Sequence, residues 1–182
     1  MKIWDGNIRL FNIHNRVLYS GLLEYVFIFA EKRNYKVVPD GDWWKPRKIE
    51  KNESFIENLK LPIVPRDYQL AGFYHALSYK KSLLVAPTAS GKSLIIYLIV
   101  RALNVKTLII VPTTSLVSQL YADFQQYGWD SAKFCHQVYA GQDKVSDKQV
   151  VISTWQSIYK LQKKIFEPYK LVIGDEAHGF KS

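Results

Sequence analysis

From Arg66 onward, apolar runs of strand length and of helix length take turns, and this alternation limits the possible folds more than any other feature. "SLLVA", "TLIIV", "QVVIST" and "LVIGD" are short and nearly continuously apolar, as strands buried on both faces must be. Between them lie "RDYQLAGFYHALSY", the stretch from Lys92 to Leu103 and the stretch from Ser115 to Tyr127, each long enough for a helix. "FCHQVY" reads as one more strand. Strands separated by helices pair in parallel through crossovers. The expected fold is therefore α/β, a parallel sheet with helices on both faces, over residues 66–182.

Two other regions precede this lobe. In residues 1–38, "IRLF" and "VLY" flank the turn-rich "NIHNR", which predicts a hairpin. "LLEYVFIFAEKRN" has helical spacing and "YKVV" reads as a returning strand, so a small α+β module is expected there. Residues 39–65 break the pattern with prolines at 39, 46, 62 and 65, the polar run "KPRKIEKNES" and the pair Trp43-Trp44. They read as a linker with one short helix from Ser54 to Lys60.

Lys and Arg number 25 against 16 acidic residues, a net charge of +9, which favours a polyanionic partner. A membrane is not expected. The longest apolar run, Leu94 to Val100, is interrupted by Arg101 and falls far short of the roughly 20 residues a spanning helix needs. The start "MKIWDGNIRL" has no apolar core of signal-peptide type. Cys135 is the single cysteine, which excludes an internal disulfide and fits a reducing, intracellular setting.

The chemistry concentrates in two places. "APTASGKS" follows a strand-length run and opens a helix-length one, the context that the phosphate-loop pattern G-x-x-x-x-G-K-[ST] requires. Ala86 replaces the first glycine, while Gly91, Lys92 and Ser93 fall in register. Pro87, Thr88, Ala89, Ser90 and Gly91 would wrap a phosphate group, the last four with their backbone N–H donors. Lys92 would reach the β- and γ-phosphates, and the Ser93 hydroxyl would hold Mg²⁺. The plain alternative is a strand-to-helix turn with an exposed lysine. "LVIGDEAH" supplies the second place, with Asp175 and Glu176 closing an apolar strand. Two adjacent acids there are costly unless a cation meets them. In a parallel sheet they share an edge with the phosphate loop. Asp175 could then reach Mg²⁺ through water, and Glu176 could take a proton from the water that attacks the γ-phosphate.

Together, "DEAH" (Asp175 to His178) and "APTASGKS" resemble the first motor lobe of superfamily 2 helicases, which tolerate alanine at the first loop position. That resemblance implies a RecA-like lobe that uses ATP and Mg²⁺. It also gives "RDYQ" the look of the Q motif, in which Gln69 would bond the adenine edge and Tyr68 or Arg66 would pack near the base. "VPTTSLVSQ" and "STWQS" resemble the segments that touch the nucleic-acid backbone, through Thr113, Thr114, Ser153 and Thr154. Short hydroxyls at strand ends suit phosphate contacts that read no bases, although Ser and Thr also favour helix starts for their own sake. His178 would couple the nucleotide site to later motifs, or act as a simple capping residue.

"WDGNIRLFNIHNRVLYSGLL" narrows the resemblance to the phage UvsW-type recombination helicases, as do "VPTTSL" and "STWQSIYK". In that family the W-D-G turn leads into a DNA-binding hairpin and helix, which makes Arg9 and Arg16 candidate contacts to duplex, branched or single-stranded DNA. A monomer in the host-cell cytoplasm is expected. The chain stops four residues after His178. The family's second lobe and its completing arginine are thus missing, and a fragment that binds ATP with negligible hydrolysis is expected. An RNA helicase is the competing reading, because motor motifs grip backbone in either nucleic acid. A non-catalytic nucleic-acid-binding protein on a nucleotide fold is the alternative from a different class. Lys45, Arg47, Lys48 and Lys51 beside Trp43 and Trp44 form either a base-stacking platform or a solvated linker. Lys160, Lys163 and Lys164 are equally open, to phosphates or to solvent.

Overall fold

The structure is a computed structural model that describes residues 10–139 and 143–179. The W-D-G turn and Arg9 lie outside the described residues. The chain divides into two compact units, Met1–Trp43 and Trp44–Ser182.

In the first unit, strands β1 (Phe11–Asn12) and β2 (Val17–Leu18) pair antiparallel, Phe11 opposite Leu18. Asparagine chemistry shapes the turn between them. Asn12 Oδ1 accepts the His14 and Asn15 amides at 3.0 and 3.3 Å, and Asn15 Oδ1 accepts the Val17 amide at 3.2 Å. Arg16 takes a left-handed φ of 56° to close it. A short 3₁₀ turn leads into helix α1 (Leu23–Glu31). The strand expected over "YKVV" does not form among the described residues. The Tyr35 amide ties back to Ala30 O at 2.9 Å, finishing the helix end, and Tyr35 and Val38 stand exposed.

The second unit begins with residues read above as linker, and they contribute to its core. Helix α2 (Glu53–Asn58) is capped by Asn52, whose Oδ1 accepts the Phe55 amide at 3.0 Å. Phe55, Ile56, Leu59 and Leu61 pack on the buried cluster, Phe55 stacking on Phe73. Helix α3 (Asp67–Ser78) lies against α4 (Lys92–Leu103). Leu94 to Val100 are all buried, so α4 is enclosed on every side, as a helix apolar all round must be. There follow β3 (Thr107–Val111), α5 (Thr114–Gln126), α6 (Ser131–Phe134), β4 (Cys135–Val138), β5 (Val150–Thr154), α7 (Trp155–Ile158) and β6 (Leu171–Gly174). The sheet order is β4-β5-β3-β6, parallel throughout, with Ile109 opposite both Ile152 and Ile173. The expected parallel α/β lobe is borne out.

One expected strand is absent from this sheet. Residues 82–86 pair with no strand among the described residues, and Leu83 and Val85 are 80% and 92% exposed. The segment faces β6, the sheet's edge, across a slot of about 640 Å³ walled by Leu83, Leu84, Ile95, Ile99 and Val172. With that slot between them, no hydrogen-bond ladder forms. Cys135 is buried, and desolvation pushes its thiol up to about 12, which makes it a core residue and not a nucleophile. Among the described residues, no helix is long and apolar enough to cross a membrane.

Candidate nucleotide-binding site

Because β3, β5 and β6 run parallel, the residues that follow them collect along one edge of the sheet. Asp175 and Glu176 follow β6, and the Asp175 amide donates to Ile110 O at 2.9 Å, which continues the ladder by one step. Asp175 Oδ1 accepts the Glu176 amide at 3.0 Å. Glu176 itself takes a left-handed φ of 50°, which turns the chain sharply after the acid pair.

The loop before α4 reaches the same edge. Ser90 N donates to Pro87 O at 3.3 Å, and Ala89 and Gly91 adopt φ of 61° and 77°. Gly91 is the residue that caps α4. Its left-handed φ calls for glycine, and a Cβ there would also push against the end of the Gln69 side chain. Gln69 braces the loop from α3. Its Nε2 donates to Ser90 O at 2.9 Å while its Oε1 accepts the Arg66 amide at 2.9 Å. Tyr68 donates its hydroxyl to the same Ser90 carbonyl at 3.0 Å, and Arg66 Nη1 donates to the Tyr68 oxygen at 3.2 Å. Both ends of the Gln69 amide are thus engaged with protein in this state, whereas Tyr68 is half exposed beside the loop.

Lys92 joins the two halves of the site. Its Nζ lies 2.9 Å from Glu176 Oε1 and 3.4 Å from Pro87 O. Glu176 is held below the usual carboxylate range, chiefly by the hydrogen bond from Lys92. Asp175 is pushed up by burial, which outweighs the bond from the Glu176 amide. A cation beside a carboxyl raised by desolvation would favour its charged form and oppose that shift. Ser90 Oγ is buried with no hydrogen-bond partner among the described residues. The unpartnered Ser90 hydroxyl and the desolvated Asp175 carboxyl beside a left-handed loop fit a nucleotide phosphate, and Ser93 and Asp175 are the oxygen donors that would hold Mg²⁺ there. His178 Nδ1 stands 3.3 Å from Glu176 Oε2 and is mostly exposed, so it touches the acid pair from outside.

The hydroxyls assigned to nucleic acid fare unequally. Thr113 caps α5, its Oγ1 accepting the Leu116 amide at 3.3 Å, and Thr114 is exposed at the first turn. Ser153 is fully buried and donates to Thr154 O at 3.0 Å. Thr154 is 4% exposed, with its hydroxyl 2.8 Å from Ser157 Oγ. Both hydroxyls are thus buried and engaged within the protein, unlike the exposed Thr113 and Thr114. Arg16 sits in the hairpin turn of the first unit, exposed. Sequence reasoning missed Tyr127, whose hydroxyl lies 2.9 Å from Ser93 Oγ. No local signal marks it, since it falls one residue past a helix end.

A parallel sheet with a glycine-capped loop, a lysine and an acid pair at one edge defines a RecA-like nucleotide-binding lobe of the phosphate-loop class. Residues 48–182 match the family described as type III restriction enzyme, res subunit, and the chain belongs to it. The UvsW-type resemblance is borne out as well. The ATP-dependent DNA helicase UvsW of Enterobacteria phage T4 is 32% identical over 195 residues, 96% of this chain and 38% of that protein. The DNA 3'-5' translocase XPB2 of Sulfurisphaera tokodaii is 30% identical over 142 residues, 75% of this chain and 31% of that protein. A crystal structure of the UvsW helicase from bacteriophage T4 superposes with a TM-score of 0.81 at 31% identity, over 96% of this chain and 67% of that one. A hypothetical ATP-dependent RNA helicase from Sulfolobus tokodaii, at 22% identity and a TM-score of 0.59, shares the fold over 70% of this chain and 42% of that one. The chain spans 38% and 31% of the lengths of the two curated relatives.

Proposed function

We propose that this chain is the ATP-binding lobe of an ATP-dependent DNA helicase or translocase that acts on branched or recombination DNA. The observation that carries the reading is the 2.9 Å ion pair from Lys92 to Glu176, which brings the phosphate loop onto the acid pair at one sheet edge. The two DNA-acting relatives at 32% and 30% identity support DNA as the polymer.

The geometry suggests how the residues would work. The loop from Pro87 to Ser93 would receive the phosphates, with Arg66 and Tyr68 packing near the base and Gln69 at its edge or bracing the loop. ATP would draw Lys92 from Glu176 to the β- and γ-phosphates. Once the lysine leaves, the cause of the lowered Glu176 pKa goes with it, and the carboxylate becomes a better base toward the attacking water. Ser93 and Asp175 would hold Mg²⁺, which when bound neutralises charge on the phosphates. His178, which stands against Glu176, would couple the nucleotide site to later motifs. Arg9, Arg16, Thr113 and Thr114 would meet DNA backbone, and the working form would be a monomer in the host-cell cytoplasm.

A salt titration of duplex, branched and single-stranded DNA beside matched RNA tests the polymer. Backbone binding releases counterions, so affinity should fall steeply with salt and independently of base sequence. Arg9→Ala with Arg16→Ala should lower the log–log slope by about 1 per lost phosphate contact, and Thr114→Ala should weaken binding with the slope unchanged. A flat salt response, or strong preference for RNA through its 2′-hydroxyl, would contradict the reading.

A further inference from the structure

Ser93 has a partner that the nucleotide motifs do not account for. Its Oγ lies 2.9 Å from the hydroxyl of Tyr127, 34 residues later. Tyr127 is the C-cap of α5, and its amide donates to Asp123 O at 2.9 Å. Its carbonyl accepts the Tyr97 hydroxyl at 3.4 Å, and its ring packs on Tyr97 with centroids 5.2 Å apart. Tyr97 is fully buried, edge-on to Phe124 and Trp129, and Arg101 Nη1 donates to its hydroxyl at 2.6 Å. An aromatic cluster with its own polar ties therefore fixes where the Tyr127 phenol can point.

A serine hydroxyl carries one hydrogen and two lone pairs. To offer its oxygen to a cation, it must direct the hydrogen elsewhere. Left alone in a first helical turn, such a hydroxyl turns to nearby backbone groups instead. We propose that Tyr127 is a positioning residue for the nucleotide-bound metal: its phenol oxygen accepts the Ser93 hydrogen and keeps the Ser93 lone pairs available to Mg²⁺. This rests on the nucleotide reading of the loop given above.

Tyr127→Phe removes the oxygen and keeps the ring in its packing. Binding of a fluorescent ATP analogue to the full chain is followed as Mg²⁺ is raised, and again in EDTA. The Mg²⁺ concentration for half-maximal binding should rise about three- to tenfold, the size of one ordinary hydrogen bond, with binding in EDTA unchanged. In a Ser93→Ala background the same substitution should add nothing, because the two groups act through one contact. Replacing Tyr127 by a fluorinated tyrosine, a weaker acceptor of the same shape, should shift the Mg²⁺ requirement the same way even if the phenylalanine variant folds poorly. An unchanged Mg²⁺ requirement in both variants overturns the proposal, as does an equal loss in EDTA or an additive loss on top of Ser93→Ala. If the unaltered chain binds no nucleotide with or without Mg²⁺, this proposal and the reading beneath it fall together. Normal nucleotide binding with silent Tyr127 variants sinks the proposal alone.

Discussion

Lys92 is the residue on which the two halves of the site depend, and it serves one anion at a time. In this structure that anion is Glu176 at 2.9 Å, in a pair with both side chains about a quarter exposed. Such a pair is worth little in stability, so a triphosphate can displace it. Glu176→Gln should therefore leave Mg-ATP binding intact or tighten it by about two- to fivefold, the worth of a partly exposed pair. In a protein that also carries the second lobe, the same change should abolish hydrolysis, because the amide accepts no proton. Isothermal titration and a phosphate-release assay read the two effects. Binding weakened tenfold, or hydrolysis near that of the unaltered protein, would contradict the assignment. Lys92, Ser93 and the acid pair were legible because each motif is contiguous and carries its chemistry in its own letters. Tyr127 was not, since its contact with Ser93 spans 34 residues and depends on how α5 ends. Ser153 and Thr154 read as contacts because a hydroxyl at a strand end looks the same in sequence whether it faces solvent or the core, and here both are buried.

Among the elements, helices and central strands follow the sequence closely. The helix expected from Lys92 to Leu103 forms with those bounds, and "TLIIV" forms β3 whole. Their apolar residues are satisfied by neighbours on every side, so local pattern and tertiary packing agree. "SLLVA" and "YKVV" are equally strand-like in composition and form none, because a strand exists only where another backbone lies alongside it. For residues 82–86 the nearest strand, β6, stands across the slot. Amide hydrogen exchange makes this measurable. The amides of Leu83, Leu84 and Val85 should exchange far faster than those of Ile109 and Ile152, which are paired and fully buried. Protection of Val85 comparable to that of Ile109 would show that the segment is laddered and the slot closed.

On the scale of the molecule, the charge of +9 and the parallel lobe answer different questions. The fold and its edge of loop, lysine and acids define where a nucleotide would sit, whereas net charge speaks only to the kind of polymer that would approach. The central claim is that the loop from Pro87 to Ser93 binds Mg-ATP through Lys92, and calorimetric titration of the full chain with Mg-ATP tests it most directly. One ATP should bind per chain, and Lys92→Ala should lower the affinity about 10- to 100-fold, the range for a hydrogen bond from a charged group. The variant should otherwise melt like the unaltered chain, since Lys92 contributes only a partly exposed ion pair to the fold. No heat of binding from the unaltered chain, or equal affinity in Lys92→Ala, would contradict the account.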